Sequence, residues 1–314
     1  MLTSKHKLTI VVPTKDRPTE LRRMLESLRV QSILPDQVVV VAAGSEESRA
    51  VVNQFPSLNS QYIHVSRAGI SRQRNAGIRA LDTASTLVGY LDDDIVLQPD
   101  AIEAMLAFWE TAPSDVGGAG FNFRNVLAPE TARKWSLRPA QFLYRLFLGR
   151  DSQKGRVLRS GFPTPIYPVD ETIQVEWLEP LAVVFRKQVF DRFQWDERYE
   201  GYDYVGFVDF TYTVSKEFRL CVVSDAWVTH YPGSIRNSYV LGIMQVVNRV
   251  YFVRKHPELS LPRCLVTLGL HAVWNVAVGL MLRDTGYLKR AWGNCVGFGL
   301  VVGGGMGAVS GGIK

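Results

Sequence analysis

From Leu8 to Leu106 the chain alternates short β-branched runs with helical patterns, and no feature limits its possible folds more. Leu8 to Val12 reads as a first strand, and Pro18 opens a helix whose Leu21, Met24, Leu25 and Leu28 share one face. Gln37 to Val41 reads as a second strand, apolar enough to be covered on both faces. A helix follows Gly44-Ser45, then a strand at Tyr62 to Val65, a helix at Ser71 to Leu81 and a strand at Leu87 to Leu91. Pro99 and Asp100 start a helix that points Ile102, Met105 and Leu106 inward. Strands separated by helices pair in parallel, so the expected class is α/β with a mostly parallel central sheet, Rossmann-like in plan.

Polar clusters stand just after these strands: Pro13-Thr-Lys-Asp-Arg-Pro18, Ala43-Gly-Ser45 and Asp92-Asp-Asp94. In an open α/β sheet the carboxyl ends of strands and the amino ends of helices meet along that edge, where ligands bind. Three acids in a row after a buried strand repel one another unless a cation sits among them, and a hard divalent ion suits carboxylate oxygens. A solvated acidic turn is the plainer reading of the triplet alone. Ser71-Arg-Gln-Arg-Asn-Ala-Gly77 opens its helix with two guanidinium groups and free backbone N–H groups, which suits a diphosphate. A solvated basic helix face is the alternative there, although Asn75 and Gly77 are poor residues for an ordinary helix interior.

Charge is uneven. Thirty-six Lys and Arg oppose thirty Asp and Glu, for a net +6, yet Phe121 to Ser160 has nine basic and two acidic residues and so holds +7 by itself. That segment interleaves aromatics and arginines from Trp135 to Leu148, as a membrane-surface or acceptor-shaping element would; nucleic-acid binding is excluded as an expectation because no binding module accompanies the charge. Three scattered cysteines, Cys221, Cys264 and Cys295, give neither a disulfide framework nor a zinc site and fit a reducing compartment. The apolar run after the polar start is too short for a signal peptide, so a cytoplasmic location is expected.

Beyond Val175 the pattern is mixed: a strand at Leu181 to Phe185, helices around Val189 and from Val208 to Phe218, and a strand at Leu220 to Val223. After Pro232, Cys264 to Leu282 contains only Thr267, His271 and Asn275 as polar residues, and Ala291 to Ile313 is apolar and glycine-rich. Arg263, Arg283, Lys289 and Arg290 flank the first run, so this tail reads as membrane-associated at the cytoplasmic face, lying in the interface or as a shallow hairpin. A buried helical cap is the competing reading.

Val11-Val-Pro-Thr-Lys-Asp-Arg-Pro18, Gly69-Ile-Ser-Arg-Gln-Arg-Asn-Ala-Gly77 and Tyr90-Leu-Asp-Asp-Asp-Ile95, in that order, resemble the family 2 glycosyltransferases of the GT-A fold, and the likeness continues from Trp177 to Pro232. The resemblance implies inverting transfer from a nucleotide-diphosphate sugar to a glycan or lipid-linked acceptor. It makes Asp92 to Asp94 the DxD element, with Asp92 and Asp93 on the donor and Asp92, Asp94 and His230 around Mn²⁺ or Mg²⁺. It places Pro13, Thr14, Asp16 and Arg17 in the nucleoside pocket and Arg72 and Arg74 near the diphosphate.

Three departures stand out. The usual Glu-Asp pair of the late helix is replaced by Gly206-Phe207, so Asp209 becomes the candidate general base, with Asp203 and Glu179 as substitutes. Ala42-Ala43 stands where relatives end the second strand in aspartates, so a uracil base is not implied. Glu179-Pro-Leu-Ala182 replaces a glycine-containing acceptor segment. The expected organisation is a GT-A domain over 1–236, with a basic, aromatic insertion at 121–172, followed by a helical region over 237–314. A non-catalytic relative that binds a nucleotide sugar or a partner is the rival reading. A nucleotidyltransferase is disfavoured because Pro13 to Pro18 contains no glycine for a phosphate loop.

Overall fold

The computed structural model of the chain describes residues 5–124, 153–200, 203–231, 233 and 237–304. These fall into two compact units, the first drawn from 5–124, 166–197, 210–231 and 233, the second from 153–165, 198–200, 203–209 and 237–304. The expected boundary near 236 is close to where the chain enters the second unit for good, but two earlier segments also join that unit. Sequence order gives no sign of such returns. Trp135 to Leu148 of the basic insertion lies outside the described residues.

A nine-stranded sheet forms the first unit. Its strands are β1 (Leu8–Lys15), β2 (Gln37–Ala43), β3 (Ser60–Val65), β4 (Leu87–Leu91), β5 (Ile95–Leu97), β6 (Val116–Phe123), β7 (Ile173–Val175), β8 (Ala182–Arg186) and β9 (Arg219–His230). They run in the order β3-β2-β1-β4-β8-β6-β9-β5, with β7 on β9. The half built from β3, β2, β1 and β4 is parallel, as the alternation predicts. Beyond β4 the direction reverses at β8, then β6 and β9 pair in parallel. Leu8, Ile10 and Val12 face a core shared with Leu21, Met24, Leu25 and Leu28 of α1 (Pro18–Arg29) and with Ile102, Met105 and Trp109 of α4 (Ala101–Thr111). Each such side chain contributes about 1.5–3 kcal/mol on burial. Between these helices lie α2 (Glu47–Val52) and α3 (Ile70–Ile78).

Two expectations shift. The helix around Val189 is a 3₁₀ turn, Lys187–Asp191, and the short strand at Leu220 is the beginning of the twelve-residue β9. Strand β6 was invisible to the sequence pattern because Val-Gly-Gly-Ala-Gly has low strand propensity. Its glycines answer to packing. A β-carbon on Gly117 would lie 2.5 Å from Phe218, and one on Gly118 would lie 2.7 Å from Phe185.

Helix α5 (Gly206–Val214) begins in the second unit and ends in the first. The rest of the second unit is dominated by α6 (Ser238–Lys255), α7 (Leu261–Leu282) and α8 (Thr285–Val302). Asn237 caps α6 by accepting from the Val240 N–H, and Asp284 caps α8 through Gly286. All three cysteines are free thiols.

Candidate active site

The polar loops at the carboxyl ends of β1, β2 and β4 meet in the first unit, and each arrives there for a local reason. After β1, Asp16 adopts φ +53° and accepts the Ser45 N–H at 2.8 Å, tying the first loop to the second. Gly44, at φ +88°, is required there: a β-carbon would stand 2.1 Å from an Asp16 oxygen. Gln73, in the first turn of α3, donates at 2.8 Å to the carbonyls of both Thr14 and Val41 and so stitches α3 to two strand ends. Pro13 lies within β1 opposite Val41.

Each acid of the triplet has its own partners. Asp93, 4% exposed, accepts the Thr14 hydroxyl at 2.7 Å and an Arg17 nitrogen at 2.7 Å. The other Arg17 terminal nitrogen donates to Asp94 at 3.0 Å. Asp94 also lies 3.3 Å from His230 Nε2. The sheet sets this pair: Ile95 of β5 is registered opposite His230 of β9, and the Tyr231 N–H donates to the Asp94 carbonyl at 2.9 Å. Asp92 accepts from Arg74 at 3.2 Å, and Arg74 is itself 1% exposed, stacked over Trp195 at 4.5 Å and donating to the Pro180 carbonyl.

Burial decides the electrostatics. It pushes the Asp93 carboxyl up to about 7 and Asp92 up to about 6, with Arg17 and Arg74 respectively pulling back. Asp94 suffers the same desolvation, but the hydrogen bond and charge of His230, then Arg17, outweigh it and hold that carboxyl below its ordinary value. Glu179 completes the neighbourhood. Burial lifts it to about 7 against the pull of His230, and Asp92 adds to the rise. Its segment is fixed beside the triplet, since the Asp92 N–H donates to the Leu181 carbonyl at 2.9 Å.

Among the described residues, no three Asp, Glu, His or Cys side chains converge tightly enough to hold an ion by themselves. Asp94 and His230 present two adjacent ligands, and Asp92 is coupled to both by charge. This donor set fits a Mg²⁺- or Mn²⁺-type ion that takes one or two protein ligands and completes its shell with phosphate oxygens and water. Burial is the main cause of the raised acids, and a bound cation would offset that cost.

The remaining expected residues lie as follows. Arg72 is partly exposed and pairs with Glu197 at 2.9 Å. Asp203 and Asp209 belong to the second unit, and both are 1% exposed. Asp203 has φ +53°, and its carbonyl accepts the Gly206 N–H. Asp209 has one oxygen 2.6 Å from Lys255 Nζ and the other 2.7 Å from His256 Nε2. Sequence reasoning missed Gln73 and Glu197; a buried glutamine in a helix's first turn is a signal available only once the strand ends are placed.

A mostly parallel sheet with β5, β7 and β8 running against the other strands, an acid triplet at the strand ends and a histidine returning from the last long strand give the chain a GT-A fold. Residues 9–161, just under half of the chain, match Glycosyl transferase family 2. It is similar to the uncharacterized glycosyltransferase YwdF of Bacillus subtilis, 29% identical over 132 residues, 41% of this chain and 48% of the relative. It is also similar to the glucosyl-dolichyl phosphate glucuronosyltransferase of Haloferax volcanii, 29% identical over 143 residues, 44% of each chain. The aligned part of the chain spans less than half the length of these curated relatives. Among solved structures, the mannosyltransferase PcManGT of Pyrobaculum calidifontis, in complex with GDP-Man and Mn²⁺, superimposes with a TM-score of 0.57 at 14% identity, covering 94% of this chain and 88% of that one. S. aureus TarS 1-349 with UDP-GlcNAc gives 0.53 at 13% identity, covering 91% and 78%. At such identities the likeness concerns the fold.

Proposed function

We propose that the chain transfers a sugar, with inversion, from a nucleotide-diphosphate donor to a glycan or lipid-linked acceptor, assisted by Mn²⁺ or Mg²⁺. The observation that supports this most is the division of labour in the triplet. Asp93 is clamped by Thr14 and Arg17, while Asp94 is paired with His230 at the same sheet edge. Asp92 and Asp94 with His230 hold the ion in this reading, and Pro13, Thr14, Asp16 and Arg17 face the nucleoside. When bound, the ion neutralises charge that develops on the departing nucleoside diphosphate. In this reading Arg72, the more exposed of the two α3 arginines, approaches a phosphate, while Arg74 pairs with Asp92.

Inversion needs a base on the face opposite the leaving group. Of the three candidates, Glu179 has the environment of one: it neighbours the triplet, and burial holds its proton affinity near neutrality. Asp209 spends both oxygens on Lys255 and His256, which suits a positioning role better. The name of the Haloferax relative and the Mn²⁺ in the archaeal mannosyltransferase support a lipid-borne acceptor and a metal, respectively. A cytoplasmic enzyme at the membrane face is the setting that matches.

One observation favours a non-catalytic relative instead: Gly206-Phe207 where family members carry Glu-Asp. Nucleotide release from a panel of donor sugars with Mn²⁺ separates the two. Turnover that Glu179→Gln removes and Asp209→Asn retains supports the proposal. Donor binding without turnover by the wild type contradicts it.

A further inference from the structure

Helices α7 and α8 turn large apolar side chains outward. On α7 the exposed large apolar residues are Val266, Leu270, Val273, Val276, Leu280 and Met281, with Val273 at 66% and Leu280 at 66% exposure. They recur at helical spacing and form a single apolar stripe. The positions turned inward include Thr267, Asn275 and Gly279. Helix α8 repeats the pattern: Gly293, Asn294 and Gly297 face in, and Trp292 stands 65% exposed.

Small and polar residues share the inward packing with Leu268 and Val278 of α7 and the valines of α6. A β-carbon on Gly242 of α6 would lie 2.1 Å from the Arg290 carbonyl, and one on Gly293 would lie 2.1 Å from the Tyr239 carbonyl. Gly293 and Gly297 are four residues apart and let α8 press its backbone onto α6. At the centre, Asn275 donates to Asn294 at 2.9 Å, and Asn294 donates to the Gly242 carbonyl at 2.9 Å and to Gln245 at 3.0 Å. Close glycine contacts and interhelical amide bonds, with large apolar side chains outside, are how helices associate where the surroundings are lipid.

Length alone would let α7 cross a bilayer. The backbone beside it favours an in-plane position instead. The Arg159 carbonyl accepts the Ser260 N–H at 2.7 Å at the start of α7, and Phe162 lies beside His271 at its middle. This stretch is irregular and exposes Lys154 and Arg159. Lipid-exposed irregular backbone with charged side chains does not enter hydrocarbon. Exposed Arg263 and Arg283 bracket the stripe, and Lys289 follows on α8, an arrangement complementary to anionic headgroups.

We infer that the outer stripe of α7, with Trp292, is an in-plane docking face for an anionic lipid bilayer, immersed on one side only. This deepens the reading of a lipid-borne acceptor and rests on it for its purpose. The test does not need turnover. Full-length protein is floated with vesicles of phosphatidylcholine alone and of phosphatidylcholine doped with phosphatidylglycerol, neither containing donor or acceptor. Flotation with the anionic vesicles is expected, lowered at least about tenfold by Val273→Glu and by Leu280→Glu, and Arg263→Glu should weaken the preference for anionic lipid. Vesicle-bound protein should be stripped by alkaline carbonate. Donor binding by the exposed-face variants should match wild type, showing that they fold; a loss of vesicle binding by the wild type itself would leave the transferase reading standing. Failure to float, flotation indifferent to both stripe substitutions, resistance to carbonate as for a spanning helix, or a dimer in vesicle-free solution that Val273→Glu dissociates would each overturn the inference.

Discussion

Arg17 and Asp93 lie 2.7 Å apart, and the same guanidinium reaches Asp94 at 3.0 Å, so one loop residue after β1 neutralises two acids after β4. Removing it leaves both carboxylates buried without that charge. Arg17→Ala is expected to lower stability by about 1–3 kcal/mol, a discount on the fully buried case because the side chain is 24% exposed. Chemical denaturation in EDTA measures this. Mn²⁺ should restore part of the loss, since it supplies charge to the same acids.

Glu179 should make stability depend on pH with a definite sign. Folded, it titrates near 7; unfolded, near 4.3. The folded state therefore holds the proton more tightly, and stability falls as pH rises through this interval. Glu179→Gln removes the cost of burying the charge, so in EDTA the variant should exceed wild type by about 3–4 kcal/mol at pH ~8, the gain falling to about 1 kcal/mol at pH ~5 and vanishing below pH ~4. Equal pH profiles for the two proteins would show that Glu179 is not desolvated.

The two acids proposed for different roles should separate kinetically. Glu179→Gln is expected to lower kcat about 10²–10⁴-fold. Asp209→Asn should keep kcat within about tenfold yet lose about 3 kcal/mol of stability, because it strips Lys255 and His256 of their buried partner. Rates are to be compared well below both melting temperatures.

Gly77 marks a close approach of α3 to β1: an added β-carbon would stand 2.3 Å from Val11. Gly77→Ala should cost about 1–3 kcal/mol, read from the denaturation midpoint. This position shows how far sequence alone reaches. Asn75 and Gly77 look anomalous in a helix, and the anomaly invites a ligand-binding explanation. The structure supplies packing reasons: Asn75 exchanges hydrogen bonds with the Trp195 backbone and bonds Glu197, while Gly77 yields to Val11. The parallel half of the sheet was legible because β2 and β4 are apolar runs and helical patterns separate its four strands. Strand β6 was not, since its glycines are fixed by Phe218 and Phe185, which come much later in the chain. The triplet was legible as an acidic cluster at a strand end, but its sorting among Arg74, Arg17 and His230 depends on which strands are neighbours.

The central claim is that Asp94 and His230 help hold a divalent ion against a donor diphosphate. Thermal melting of the full chain with GDP and with UDP, each in Mn²⁺ and in EDTA, tests it most directly, because a ligand of the native state raises the melting temperature. The expected result is a rise of several degrees for at least one nucleotide, present only with Mn²⁺ and lost in Asp94→Asn. A rise that is equal in EDTA and in Asp94→Asn, or no rise with either nucleotide, would contradict the account.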